Sequence, residues 1–161
     1  MVLLVTARAL VAAGRDATDM NMTPDPGRPR PVRHILLLDD ESSVVLALKL
    51  LLQALGFTVQ DFTAPEEAVR WLEAGNSADL FICDLRMPKL NGMAVLERSV
   101  ACAPGLPFVL MSAHATPAEV EQAKAKGAFA FLAKPFTPDE LHAIVAEVHS
   151  RPVGAGDIAG A

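Results

Sequence analysis

The sequence predicts an α/β protein, a doubly wound five-stranded parallel sheet with helices on both faces. Three observations carry this. Short apolar runs alternate five times with segments of helical periodicity between residues 34 and 149. Three of those runs, HILLL (34–38), ADLFIC (78–83) and LPFVLM (106–111), are almost wholly apolar, as strands covered on both faces are. The helical segments are also punctuated, ending at Gly56, Gly75 and Gly127 or opening on Thr-Pro.

The elements follow in order. After HILLL, the residues Val44, Leu48, Leu51, Leu52 and Leu55 recur at helical spacing up to Gly56. FTVQDF (57–62) alternates as a strand does. Residues 63–75 form a helix with a candidate cap at Thr63, and Trp71 is assigned to packing. The strand at 78–83 is followed by a helix over 91–101 carrying Met93, Leu96 and Val100 on its apolar face. After the strand at 106–111, residues 116–127 open with a capping box, Thr116 and Glu119, with Pro117 at the first helical position. AFAFLA (128–133) is the fifth strand. Residues 137–150 open with a second box, Thr137 and Glu140, and present Leu141, Ile144, Val145 and Val148. The helix at 116–126 offers only Val120 and alanines, so it is anchored less firmly than the helix at 138–149.

One domain accounts for 34–149. Residues 1–33 read as an N-terminal extension, flexible or partly helical, closing in a proline-rich linker (TPDPGRPRPVR, 23–33). Residues 150–161 read as a Gly/Ala-rich tail. The opening MVLLVTARALVAAG lacks a basic n-region and is interrupted by Arg8, so secretion is not expected; Met20 and Met22 are alternative starts. No run reaches the ~18–20 apolar residues of a membrane span.

Composition narrows the function. The 161 residues are 52% hydrophobic and 20% charged, enough apolar matter for a packed core. Fourteen basic against 19 acidic residues give a net charge of −5, with no basic clustering of the kind that binds nucleic acid. Cys83 and Cys102 have no metal-like spacing, and Cys83 sits in an apolar run as a core residue. A reducing, cytoplasmic setting is expected.

In an open parallel sheet, sites form beyond the carboxyl ends of the strands. The first strand ends in Asp39 and Asp40, the third in Asp84, the fourth in Ser112 and the fifth in Lys134. Three carboxylates, a hydroxyl and an ammonium thus gather at one edge. Carboxylates so placed repel unless pKa values rise or a cation binds. Oxygen donors without His or Cys suit Mg²⁺, with Mn²⁺ the alternative, and such a cation commonly partners phosphate. Each residue alone reads more simply, an Asp as a turn or cap and a Lys-Pro as a loop. Their convergence at one edge is the signal.

The motifs LLLDDE, DLRMPKLNG, LMSAH and FLAKPF, in this order and spacing, resemble those of the receiver domain of bacterial two-component response regulators over about 34–149. The resemblance implies the flavodoxin-like (βα)5 fold with strand order 2-1-3-4-5. It implies that Asp84 is the phosphoacceptor, supplied by a histidine kinase or histidine phosphotransfer protein. Asp40 would hold Mg²⁺ directly, Asp39 through water, and the Arg86 backbone carbonyl would add a ligand. Ser112 and Lys134 would bind the phosphoryl group. Ser112 and Phe131 would form the switch, and Lys134–Pro135 would be a cis peptide. Arg86 and His114 would set phosphoryl lifetime more than stability, although His114 also reads as an exposed loop residue. Ser112 replaces the more frequent Thr, and Phe131 lacks the phenolic hydroxyl some switches use.

The expected protein is therefore a stand-alone receiver acting through a protein partner, with no direct nucleic-acid or membrane contact and no enzymatic turnover beyond its own phosphorylation and dephosphorylation. A homodimer through the 116–149 face is compatible with this. Three other readings stay open. One is a degenerate receiver that binds partners without phosphorylation. Another is a Mg²⁺-dependent phosphatase resembling the haloacid dehalogenases, although LDDES does not give their D-x-D and no cap domain is evident. The last is a fragment of a larger regulator.

Overall fold

The computed structural model describes residues 31–151, and the N-terminal extension and the tail fall largely outside them. Five strands alternate with five helices: β1 His34–Leu38, α1 Ser42–Ala54, β2 Thr58–Phe62, α2 Pro65–Glu73, β3 Leu80–Asp84, α3 Gly92–Cys102, β4 Phe108–Ser112, α4 Pro117–Ala125, β5 Ala130–Ala133 and α5 Pro138–His149. All neighbours pair in parallel in the order β2-β1-β3-β4-β5, as predicted.

The period of two along each strand sorts its side chains between two cores. Ile35, Leu37, Leu80, Ile82, Val109 and Met111 face α1 and α5. Leu36, Leu38, Phe81, Cys83, Phe108 and Leu110 face α2, α3 and α4. A slip of one residue would exchange these sets, and because both faces are covered the register is held by packing on two sides. Phe81 and Phe108 meet at a centroid distance of 4.6 Å in the second core. Cys83 is fully buried, as its run predicts, and Trp71 packs edge-on to His34 at the opposite end of the sheet from the carboxylates.

Several helix details differ from the sequence reading. Thr63 does not cap α2: Ala64 is the N-cap and offers no side-chain acceptor, while Pro65 takes the first helical position, where no N–H needs a partner. In α1 the buried stripe is Val45, Leu48 and Leu52; Leu55 falls on the C-cap and is exposed. In α3 the phase buries Val95 and Ser99 and turns Val100 outward. Packing also starts earlier than residue 34. Val32 is buried, and Asp79 Oδ2 accepts from the backbone N–H groups of Arg33 and His34 at 2.9 and 2.8 Å.

Both predicted capping boxes form. Thr137 Oγ1 accepts from Glu140 N at 3.2 Å while Glu140 Oε2 accepts from Thr137 N at 2.7 Å. α5 further buries Leu141, Val145 and Val148, whereas α4 fully buries only Ala123. A Thr137→Ala variant is expected to lose about 1 kcal/mol in urea unfolding, and a loss below a few tenths would mean that packing alone holds the end of α5.

Candidate functional site

The strand order changes direction between β1 and β3, and a crevice opens there beyond their carboxyl ends. Backbone bonds fix the crevice. Leu85 N donates to Met111 O at 2.8 Å, Lys134 N to Ser112 O at 2.9 Å and Asp39 N to Phe62 O at 3.3 Å. The chain leaving β3 turns back so tightly that Gly92 N donates to Leu85 O at 3.0 Å.

Five predicted residues meet in this crevice. Asp39, Asp40 and Asp84 each place a carboxylate oxygen within 4.8 Å of the others. Lys134 Nζ lies between two of them, donating to Asp39 Oδ2 at 2.8 Å and to Asp84 Oδ1 at 2.7 Å. The remaining oxygens are occupied by backbone: Glu41 N donates to Asp39 Oδ1 at 3.0 Å and Arg86 N to Asp84 Oδ2 at 2.9 Å. The Asp39 and Asp84 side chains are only 1% and 8% exposed, whereas Asp40 is exposed. Ser112 is buried at the end of β4, where its Oγ accepts from His114 N at 3.2 Å. The Lys134–Pro135 peptide is cis, as expected.

Electrostatics follow from burial. Removal from water pushes the Asp84 carboxyl above its ordinary range; Lys134 opposes this and the Asp39 charge adds to it, and the net displacement is upward. Burial alone would lower Lys134, but its hydrogen bonds to Asp39 and Asp84 outweigh burial and hold the ammonium above the usual lysine value. The donor set is hard oxygen with no sulfur or imidazole in the cluster, which fits a small divalent cation. A buried carboxylate flanked by an ammonium and a backbone N–H is also placed to take up an electrophilic phosphorus, because both donors can neutralise its oxygens.

Phe131 stands apart from the carboxylates, half-buried on β5 against the α2–α3–α4 core. His114 is exposed, as its loop reading has it. Arg86 sends its side chain away from the crevice, with Nη2 2.7 Å from Glu119 Oε1 and 3.3 Å from the His114 carbonyl oxygen. Sequence reasoning saw Glu119 only as a capping residue. Nothing in the spacing of Arg86 and Glu119 signals that two loops bring them together.

The response regulator receiver domain model matches residues 35–146, and the chain belongs to that family. It is 36% identical over 107 residues to the C4-dicarboxylate transport transcriptional regulatory protein DctD of Rhizobium meliloti, covering 66% of this chain and 23% of that protein. It is 34% identical over 111 residues to the DNA-binding transcriptional regulator NtrC of Escherichia coli, covering 69% of this chain and 24% of that one. The chain thus spans about a quarter of the length of these relatives. A crystal structure of a receiver domain protein from Clostridium thermocellum superposes with a TM-score of 0.69 at 31% identity, over 73% of this chain and 94% of the other. Among the described residues no helix is long and apolar enough to cross a membrane.

Proposed function

We propose that this domain carries a two-component signal by accepting a phosphoryl group on Asp84 from a phosphohistidine donor. The observation that carries the reading is the position of Asp84, buried beyond the end of β3 with one oxygen on Lys134 and the other on the Arg86 N–H. An Asp84 oxygen attacks phosphorus in line, the P–N bond to the donor imidazole breaks, and its electron pair stays on the nitrogen. Lys134 and the Arg86 N–H steady charge on the oxygens. Asp39, Asp40 and Asp84, with the Arg86 carbonyl, would hold Mg²⁺, which supplies further charge neutralisation when bound. The family resemblance implies that Asp40 would hold the ion directly and Asp39 through water, and the exposure of Asp40 supports its part in this. Water then attacks the acyl phosphate and ends the signal.

The donor approaches between α1 and the β5–α5 loop, where Ser43, Val44, Ala47, Leu48 and Phe136 help line a cavity of about 470 Å³ that has Lys134 in its wall. Ser112, turning from His114 N toward the new phosphoryl oxygens, vacates space that Phe131 can enter, and the α4–β5 surface changes shape for a partner. The α4 helix is the element best suited to move, since it fully buries one side chain where α5 buries three.

The test is intact-mass spectrometry after incubation with acetyl phosphate, with and without Mg²⁺, beside Asp84→Asn. One phosphoryl adduct that needs Mg²⁺ and is absent from the variant is expected. A folded wild-type protein without adduct would favour a phosphorylation-independent binding module. Catalytic turnover of an added phosphomonoester would favour a phosphatase. The Asp84→Asn protein is also expected to melt no lower than wild type in divalent-free buffer, because it removes a carboxylate that burial disfavours and leaves Lys134 paired with Asp39.

A further inference from the structure

We infer that Glu119 is a positioning residue that holds Arg86 away from Asp84 until a phosphoryl group competes for it, so that the Arg86–Glu119 ion pair latches α4 in the unphosphorylated arrangement. The inference rests on the phosphoacceptor reading of Asp84.

The two oxygens of Glu119 do different work. Oε2 accepts from Thr116 N at 2.8 Å and Thr116 Oγ1 at 3.1 Å, closing the capping box of α4. Oε1 pairs with Arg86 Nη2 at 2.7 Å. The same Nη2 donates to the His114 carbonyl oxygen at 3.3 Å. One guanidinium therefore joins the loop after β3, the loop after β4 and the first turn of α4.

Arg86 is also tied to Asp84, through its own backbone N–H on Asp84 Oδ2 at 2.9 Å. A phosphoryl group on Asp84 would add negative charge and acceptor oxygens within the sweep of the Arg86 side chain. A guanidinium prefers a phosphoryl it can bind in bidentate fashion to a half-exposed single contact with a carboxylate. Because Glu119 and the phosphoryl group compete for one cation, each weakens the hold of the other, and the coupling is reciprocal. Release of Arg86 leaves the capping box intact but unties α4, a helix with one buried side chain, from the β3–α3 loop. The switch is thereby linked to charge at Asp84 through Arg86 as well as through Ser112 and Phe131.

Glu119→Gln separates the two roles, since Gln at this position still completes a capping box but forms no ion pair. The probe is beryllofluoride with Mg²⁺, titrated by calorimetry into wild type, Glu119→Gln, Arg86→Ala and the double variant. With side chains 59% and 25% exposed the pair is a weak one, worth about a two- to fivefold change in affinity. Glu119→Gln is expected to bind beryllofluoride about threefold tighter than wild type. The gain should vanish in the Arg86→Ala background, because Glu119 acts through Arg86 and not through its own field. Amide exchange in the first turn of α4 should rise in uncomplexed Glu119→Gln. Equal or weaker binding by Glu119→Gln, or the same gain without Arg86, overturns the latch alone. A wild-type protein that binds no beryllofluoride overturns the phosphoacceptor reading and the latch with it.

Discussion

Lys134→Met is expected to lower the stability of the domain by about 3 kcal/mol at about pH 7 in divalent-free buffer. Methionine keeps most of the side-chain length but removes the only cation bonded to Asp39 and Asp84 among the described residues. Two carboxylates, 1% and 8% exposed, are left facing each other without a counter-charge. Breaking a buried pair from one side is costly for this reason, and the 22% exposure of the Lys134 side chain places the cost at the low end of the range. The pH dependence has a definite sign. Burial already raises Asp84 above its unfolded value of 3.8, and without Lys134 it rises further. The native variant then binds protons more tightly than the unfolded chain, so its stability increases as pH falls through the Asp84 pKa. In the parent chain Lys134 is raised above 10.5, so its contribution is present below that value and is lost as pH rises through the folded pKa. The parent and variant curves therefore converge at both ends and differ most between them. Urea unfolding across that range, with and without Mg²⁺, is the measurement. On the proposed reading Mg²⁺ restores part of the loss, while the acetyl phosphate adduct stays far below wild type. Parental stability throughout, with a normal adduct, would show that Lys134 is not the counter-charge of this site.

The same crevice shows what a sequence can and cannot reveal. β1, β3 and β4 are legible because strands buried on both faces must be apolar throughout, which makes the aspartates and Ser112 at their ends conspicuous. Their order in the sheet is not legible from periodicity, which locates strands without saying which ones pair; it came from the family resemblance. Helix phase was misread at Leu55 and Val100 because two equivalent stripes can be drawn on a short apolar helix, and only the sheet beneath selects one. The Thr63 cap failed for a local reason, since the next two residues, Ala64 and Pro65, shift the helix start by one. The Arg86–Glu119 pair depends on the paths of two loops, and no local pattern encodes it. On the proposed reading the site is also where stability yields to chemistry. Burial pushes the Asp84 carboxyl upward against the opposing Lys134 ammonium and Arg86 N–H, an arrangement a neutral amide would relax.

Gly92→Ala tests how closely the fold and the site share atoms. Gly92 opens α3, and helix propensity alone favours alanine there by about 1 kcal/mol. Packing gives the opposite sign. A Cβ on Gly92 would lie 2.3 Å from the Asp84 carbonyl oxygen, 2.8 Å from Leu110 Cδ2 and 2.9 Å from Leu85 Cα. Two of these three atoms are backbone, so a rotamer change at Leu110 cannot relieve the clash. The start of α3 must lift from the end of β3, straining the Gly92 N–H bond to Leu85 O and carrying Asp84 with it. Overpacking of this kind costs about 3 kcal/mol when backbone has to give, which outweighs the propensity gain. The displacement also reaches function, because the Asp84 bonds to Lys134 and Arg86 N–H, 2.7 and 2.9 Å long, align it for in-line attack on the proposed reading. A shift near 1 Å in such an arrangement slows reaction by about 100-fold. The expected result is a variant that unfolds at distinctly lower urea and, in its folded fraction, acquires the acetyl phosphate adduct about two orders of magnitude more slowly. If Gly92→Ala instead matched or exceeded the parent in stability, propensity would have won, and the close contact between α3 and Asp84 would not be what positions the carboxylate.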